Sequence, residues 1–223
     1  TLFDNQTGIV NVSAGKEFNI NTSTTQLGVG TTLSGSGSLK FSGSQTIDIA
    51  SAFTLASSAP NILTDGILDF SGVGLFTIGA GAVLLLTGDT ISADVDNQGN
   101  LEFETFSNQV TSTSFANTGT VVVRAINSNA SVTFSNGFTN ASGATITIDN
   151  ASMSSHDATL TVSSGTLTNA GTILTSATGT GTGTRIISGD LSNTNTITVN
   201  ANTNITGTTF DTQIGAVSVA TGK

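Results

Sequence analysis

The stretch Phe115-Ala116-Asn117-Thr118-Gly119-Thr120-Val121-Val122-Val123 contains the pattern that decides the fold of this chain. Phe115, Val121 and Val123 hold the apolar positions of a nine-residue unit in which apolar positions recur with period 2, and such a pattern rich in β-branched residues is typical of a β-strand. Between the ends lie an Asn and a Gly, two residue types that tolerate the positive φ of a turn. The stretch therefore predicts a strand, a corner and a second strand.

The same pattern recurs along the chain, in copies that begin at residues 95, 115, 138, 167 and 191. A strand–corner–strand unit repeated every twenty-odd residues indicates one coil of a solenoid per copy. Stacked coils place equivalent strands about 4.8 Å apart, so each coil buries its apolar side chains against the next. We predict an all-β fold, a parallel β-solenoid or β-helix of eight to nine coils that forms one domain over residues 1–223. The irregular coil length favours a right-handed winding. The alternative is a β-sandwich, whose strands also alternate.

The composition excludes several classes of function. About half of the residues are Ser, Thr, Gly or Asn, only 9% are charged, and the chain has one His and no Cys. Without Cys there is no disulfide framework and no Cys-ligated zinc. The net charge of −9 has the wrong sign for nucleic acid phosphates. No apolar run is long enough to predict a transmembrane segment.

The asparagine of the repeat is predicted to stack on itself from coil to coil. Side-chain amides in stacked β-structures can hydrogen-bond along the stacking axis. We expect such a corner ladder at five positions, one in each clear copy of the repeat: Asn97, Asn117, Asn140, Asn169 and Asn193.

A column of outward-facing positions follows from the same alignment, because side chains alternate between the two faces of a strand. The positions assigned to this column are Lys40, Asp69, Leu84, Glu102, Val122, Thr147, Leu174 and Thr198. Three of them are apolar and would need cover. Leu84, Val122 and Leu174 are therefore candidates for an assembly contact, with cover from a loop of the same chain or from a neighbouring subunit.

Candidate chemical sites are few. Asp94, Asp96, Glu102 and Glu104 form a local acidic patch, for which a solvated face, a calcium site and a carboxylate pair for glycoside hydrolysis are the three interpretations. No calcium-loop signature accompanies it, and we expect no cofactor. His156 and Asp157 lie beside serines without the context of a catalytic triad. The run from Thr178 to Thr184, in which Thr and Gly alternate, lacks the Lys of a phosphate loop and predicts an exposed, flexible loop.

The units FANTGTVVV, LTNAGTILT and LSNTNTITV resemble the degenerate repeats of bacterial surface β-helices, which include autotransporter passengers and filamentous-haemagglutinin-like adhesins. LSGSGSLKFSGSQTIDI is similar to the strand repeats associated with autotransporters. The resemblance covers most of residues 33–199 and concerns architecture. It implies export from a bacterium, an extracellular or cell-surface location, and contact with surface glycans or host ligands. It supplies no catalytic residue.

These observations predict a structural or adhesive protein, not an enzyme. Val217-Ser218-Val219 near the end still alternates like a strand, so the ends of the solenoid are predicted to be open. Unpaired strand edges join other strands. We therefore expect self-association end to end into a stalk or fibre, or continuation into neighbouring repeats, because a chain that opens at Thr1 without Met suggests a processed or excised segment. The alternative function is a polysaccharide-binding or polysaccharide-cleaving β-helix of the tailspike or lyase kind.

Overall fold

The computed structural model describes residues 1–5, 7–212 and 214–222, apart from the side chain of Asp65. It confirms the parallel β-solenoid. The described residues contain no helix, 58% of the chain is strand, and the strands wind through about nine turns. Every pairing among the described strands is parallel, because each strand pairs with its equivalent in an adjacent coil.

The described residues form 26 strands. In chain order these are β1 (Leu2–Asn5), β2 (Ile9–Asn11), β3 (Glu17–Ile20), β4 (Thr24–Leu27), β5 (Thr32–Ser34), β6 (Ser38–Ile49), β7 (Phe53–Leu55), β8 (Asn61–Ser71), β9 (Phe76–Ile78), β10 (Val83–Leu86), β11 (Thr90–Ile91), β12 (Val95–Asn97), β13 (Asn100–Glu104), β14 (Phe106–Val110), β15 (Phe115–Asn117), β16 (Thr120–Ala125), β17 (Ala130–Phe134), β18 (Phe138–Asn140), β19 (Thr145–Asn150), β20 (Ala158–Asn169), β21 (Thr172–Ser176), β22 (Arg185–Asn193), β23 (Thr196–Val199), β24 (Thr203–Thr206), β25 (Phe210–Asp211) and β26 (Ala216–Val219).

Successive strands occupy three faces in turn. The first face contains β3, β10, β13, β16, β19, β21, β23 and β26, together with the first parts of β6 and β8. The second face contains β1, β4, β11, β14, β17 and β24, the last parts of β6 and β8, and the first parts of β20 and β22. The third face contains β7, β9, β12, β15, β18 and β25, with the last parts of β20 and β22. On this side of the first coils, β2 and β5 form a separate two-stranded sheet.

The core is a set of columns in which each coil contributes one apolar side chain. The inner column of the first face consists of Leu39, Ile62, Leu84, Leu101, Val121, Ile146, Ile173 and Ile197, and all eight are buried. Burying one such side chain stabilises the fold by about 1.5–3 kcal/mol. The stacking of coils therefore supplies a core that no single coil could form.

Phenylalanine rings fill two parts of this core. Phe76 stacks on both Phe53 and Phe70, with ring centroids 5.8 Å apart in each pair. Further along the axis, Phe134 contacts Phe115 and Phe138 at centroid distances of 4.9 and 4.4 Å. These offset and edge-to-face contacts couple neighbouring coils along the axis.

Candidate functional site

The five asparagines of the repeat form one hydrogen-bonded ladder along the axis. The Nδ2 of each residue donates to the Oδ1 of the asparagine in the following coil, from Asn97 through Asn117, Asn140 and Asn169 to Asn193. The four N···O distances are 2.7 to 2.8 Å, and all five side chains are buried. Because every donor points the same way, the ladder has a donor end and an acceptor end.

The two ends of this asparagine ladder differ. At the acceptor end, Asn97 stacks on Ile78, and the Oδ1 of Asn97 has no hydrogen-bond partner among the described residues. Leu55 continues the same column one coil earlier, so the column changes from amide to apolar at this point. At the donor end, the Nδ2 of Asn193 is 3.3 Å from the carbonyl oxygen of Ala216. The ladder thus covers the five coils in which the clear repeats occur.

The predicted outward column contains two errors. Leu84 is wrongly placed, because it pairs with Ile62 and Leu101 in the inner column and is fully buried. Leu85 takes the outward place beside Glu102. The run Val83–Leu86 is apolar at every position, so its sequence shows no alternation from which the inward phase could be read, and a one-residue slip exchanges the faces. Asp69 is also misplaced, because it lies on the second face between Thr46 and Thr90.

Lys40 lies in the predicted column but pairs with Leu63, and the other five members are adjacent as expected. Glu102, Val122, Thr147, Leu174 and Thr198 follow one another on the outer side of the first face. Val122 is nevertheless buried, and Leu174 is half-buried between its threonine neighbours. An assembly contact at Val122 and Leu174 stays a prediction.

The structure divides the acidic patch between two strands. Asp96 lies on β12, and Asp94 directly precedes this strand and accepts bonds from the Thr113 hydroxyl and the Ser114 amide, both at 2.9 Å. Glu102 and Glu104 lie on β13, on the first face. No three His, Asp or Glu side chains in the described part of the chain form a group that could hold a metal ion. The patch is therefore not a single carboxylate cluster.

Glu102 and Glu104 form an ion-pair network with residues of the next two coils. The Arg124 guanidinium pairs with Glu102, and its Nη1 is 3.9 Å from a Glu104 oxygen. Its Nε is 3.6 Å from Asp149. Sequence reasoning missed Arg124 and Asp149, although Glu104 and Arg124 occupy the same position in successive copies of the repeat. The opposite charges of Glu104 and Arg124 at this position could have predicted the ion pair from the sequence.

The pKa values of Glu104 and Asp149 are shifted in opposite directions. Burial and the neighbouring charge of Glu102 raise the pKa of Glu104 to about 7, against a smaller opposing effect of Arg124. Burial alone would also raise the pKa of Asp149. Bonds from the Thr178 and Ser176 side chains and from the Thr178 amide, with the charge of Arg124, hold it below its ordinary value.

We predict that Glu104→Gln removes a measurable part of the pH dependence of stability. A carboxyl whose pKa is raised on folding stabilises the native state fully below its unfolded pKa, and this contribution is lost as the pH rises through about 7. Urea unfolding should show Glu104→Gln more stable than the parent at pH 8, by at most about 3 kcal/mol, and similar to it at pH 4. Equal differences at both pH values would contradict the assignment.

The alternating Thr and Gly segment at 178–184 packs through its glycines against the corner loop of the preceding coil, while Thr178, Thr180 and Thr182 are exposed, as expected. The Gly179 amide donates to the Asn150 carbonyl at 2.9 Å, and the Gly181 amide donates to the Ser152 carbonyl at 3.0 Å. The segment thus extends the solenoid pairing through a corner loop. Thr180 and Thr182 face outward, whereas Gly179, Gly181 and Gly183 face the loop of the preceding coil.

Arg185 closes this loop at its base. The side chain is fully buried, its Nε donates to the Ser176 carbonyl at 2.5 Å, and its Nη1 donates to the Gly183 carbonyl. Burial lowers the pKa of Arg185, and the charges of Asp149 and Asp157 oppose that effect. Its guanidinium therefore joins the two ends of the loop by charge-assisted hydrogen bonds.

A second buried carboxylate lies on the second face. Asp89 accepts bonds from the amides of Leu68 and Thr87, at 3.0 and 2.8 Å, and from the Thr64 hydroxyl. Burial raises its pKa, against the opposing effect of these bonds. The next residue in its column is Asn108, whose Oδ1 accepts the amides of Gly88 and Asp89 at 2.9 and 3.0 Å. Both side chains satisfy backbone donors at a corner.

Comparisons with family models, with curated proteins and with solved structures found no match. None of the described residues forms a helix that is long and apolar enough to cross a membrane.

Proposed function

We propose that this chain is a structural rod, a stalk or fibre segment of an extracellular bacterial surface, and that its solenoid ends associate with one another. The single observation that carries the proposal is the state of the two terminal coils. Among the described residues the outer strand edges of these coils are unpaired, and three of their core-facing side chains, Phe18, Val217 and Val219, are partly exposed. Export and surface location rest on the resemblance of the repeat units to those of bacterial surface β-helices.

The C-terminal edge presents two apolar side chains in core register. Val217 and Val219 of β26 pair with Ile197 and Val199, which are buried. Val217 itself is 42% exposed and Val219 is 55% exposed, since no described strand lies beyond β26. A further coil placed on this edge would continue both core columns and the strand ladder.

The N-terminal edge also presents an apolar side chain in core register. Phe18 of β3 pairs with Leu39, which is buried, yet Phe18 is 39% exposed. Phe3 packs against it edge to face, with the ring centroids 6.3 Å apart. Each edge therefore offers apolar side chains and free backbone groups, and a contact between opposite ends of two copies does not close on itself and propagates as a fibre.

Lysine substitutions on β26 test this proposal. We predict that the double variant Val217→Lys, Val219→Lys prevents fibre growth, because two charges would enter the core columns of the junction. Ser218→Lys is the matched control, since residue 218 pairs with Thr198 on the outward side. Analytical ultracentrifugation and negative-stain microscopy should show fibres for the parent and the control only. A parent chain that stays monomeric at all concentrations would refute the proposal.

A further inference from the structure

Phe106 breaks the alternation of its own strand. In β14, Asn108 and Val110 are buried, so alternation places Phe106 on the inner side as well. The residues that follow it in its column, Ala130, Ala158 and Arg185, are all buried. Phe106 is instead 63% exposed. Its ring is therefore turned outward at a position where the neighbouring coils point inward.

The backbone at this corner is left-handed at two consecutive residues that are not glycine. Thr105 has φ of 38° and Phe106 has φ of 56°, and they are the only non-glycine residues with positive φ in the described part of the chain. Such a conformation costs about 1–3 kcal/mol for a residue with a side chain, and glycine would adopt it without strain. The Asn108 Nδ2, 3.4 Å from the Thr105 carbonyl, supports the turn. An aromatic side chain is thus held in solvent at a cost to stability.

The exposed ring borders a shallow depression of about 440 Å³. The other lining residues are Ser107, Ser128, Asn129, Ser131 and His156. They come from the corner loops and second-face strands of three successive coils.

The polar groups of this depression come from serine, asparagine and histidine side chains. The Oδ1 of Asn129 accepts the Asp157 amide at 3.0 Å, which fixes the side chain, and its Nδ2 has no partner in the described residues. The His156 imidazole likewise has no hydrogen bond to a described residue. No Lys, Arg, Asp or Glu side chain lines the depression. It therefore offers an aromatic face, an amide, hydroxyls and an imidazole.

We infer that this depression, formed by Phe106, Ser107, Ser128, Asn129, Ser131 and His156, binds a neutral oligosaccharide. One sugar ring would pack its C–H face on the Phe106 ring, while its hydroxyls exchange hydrogen bonds with Asn129 and His156. Sugars present this combination of an apolar ring face and a rim of neutral donors and acceptors, and binding sites match it with an aromatic side chain and a few polar groups. The strain at Phe106 is explained because only a side chain turned outward can make this contact.

The test uses the parent chain and three probes: maltohexaose, cellohexaose and chitohexaose. Saturation-transfer NMR should detect binding of at least one of them, and Phe106→Gly should weaken it by about tenfold or more through loss of the ring. Phe106→Tyr keeps the ring and should keep the affinity. Val73→Ala, which changes an exposed apolar side chain elsewhere, is the matched control and should also keep it.

The thermal stability of the same variants separates loss of the site from loss of the fold. Because glycine relieves the left-handed strain, Phe106→Gly should unfold at the same temperature as the parent or at a higher one. Absence of saturation transfer to all three probes would overturn the inference. So would unchanged affinity in Phe106→Gly. The outcome is independent of fibre formation, since the depression lies on a side of the rod and away from both ends.

Discussion

Asn140→Leu is expected to lower the free energy of unfolding by about 4 kcal/mol, although the two side chains have the same number of non-hydrogen atoms and the same branching. Leu can neither accept the bond from Asn117 Nδ2 nor donate to Asn169 Oδ1, and both distances are 2.7 Å in the native ladder. Two buried polar groups would then lack partners, and each such group costs about 1–3 kcal/mol. Urea unfolding followed by circular dichroism measures the difference.

Asn97→Leu is the matched control, because it changes the acceptor end of the same ladder. There the substitution removes a donor, the Asn97 Nδ2, from the Oδ1 of Asn117 and from the Thr120 carbonyl, but it leaves no side-chain donor without its acceptor, and it also removes the unpartnered Oδ1 of Asn97. The residue below, Ile78, is apolar and suits Leu. We expect a loss of less than half that of Asn140→Leu. Equal losses at both positions would show that volume and shape, not hydrogen bonding along the axis, determine the effect.

Gly181→Ala is the second change expected to have a large effect, with a loss of about 3 kcal/mol. A Cβ on Gly181 would lie 1.8 Å from the Ser154 carbonyl oxygen of the preceding coil. Because this oxygen belongs to the backbone, it cannot move aside by a side-chain rotation. The two loops would therefore have to separate. Gly183 meets the His156 carbonyl oxygen at 1.9 Å in the same manner.

Thr180→Ala serves as its control within the same loop. Thr180 faces solvent between two of these glycines, and its substitution should change the stability by no more than about 0.5 kcal/mol. Thermal unfolding of the two variants and the parent distinguishes them. Similar stability for Gly181→Ala and the parent would mean that the 151–157 and 178–184 loops are not stacked as described.

The fold was largely predictable because the same sequence pattern recurs in successive coils. Each copy of the repeat has an Asn at the same corner, so aligning the copies places Asn97, Asn117 and Asn140 at equivalent positions. The structure brings these amides within hydrogen-bond distance. Prediction failed where the repeat loses its pattern. Leu84 lies in an unbroken apolar run, and nothing in Val83–Leu86 distinguishes the inner from the outer side.

The side-chain sites were less predictable, for two physical reasons. Contacts such as those of Arg185 with Ser176 and Gly183 depend on how a corner loop closes, which strand alternation does not describe. The outward turn of Phe106 is a backbone exception, and its own alternation predicts the opposite side. The alternating glycines of 178–184 did carry a usable signal. A Gly at every second position indicates an extended segment that lies against another backbone on one side, as Gly179, Gly181 and Gly183 do.

We propose that copies of this solenoid join end to end through the partly exposed core columns of their terminal coils. Cryo-electron microscopy of the concentrated parent chain tests it most directly. The account predicts fibres with strands perpendicular to the axis, a layer line near 4.8 Å and a subunit repeat of about 43 Å for nine turns. Single rods of that length at every concentration, or fibres whose strands run along the axis, would contradict it.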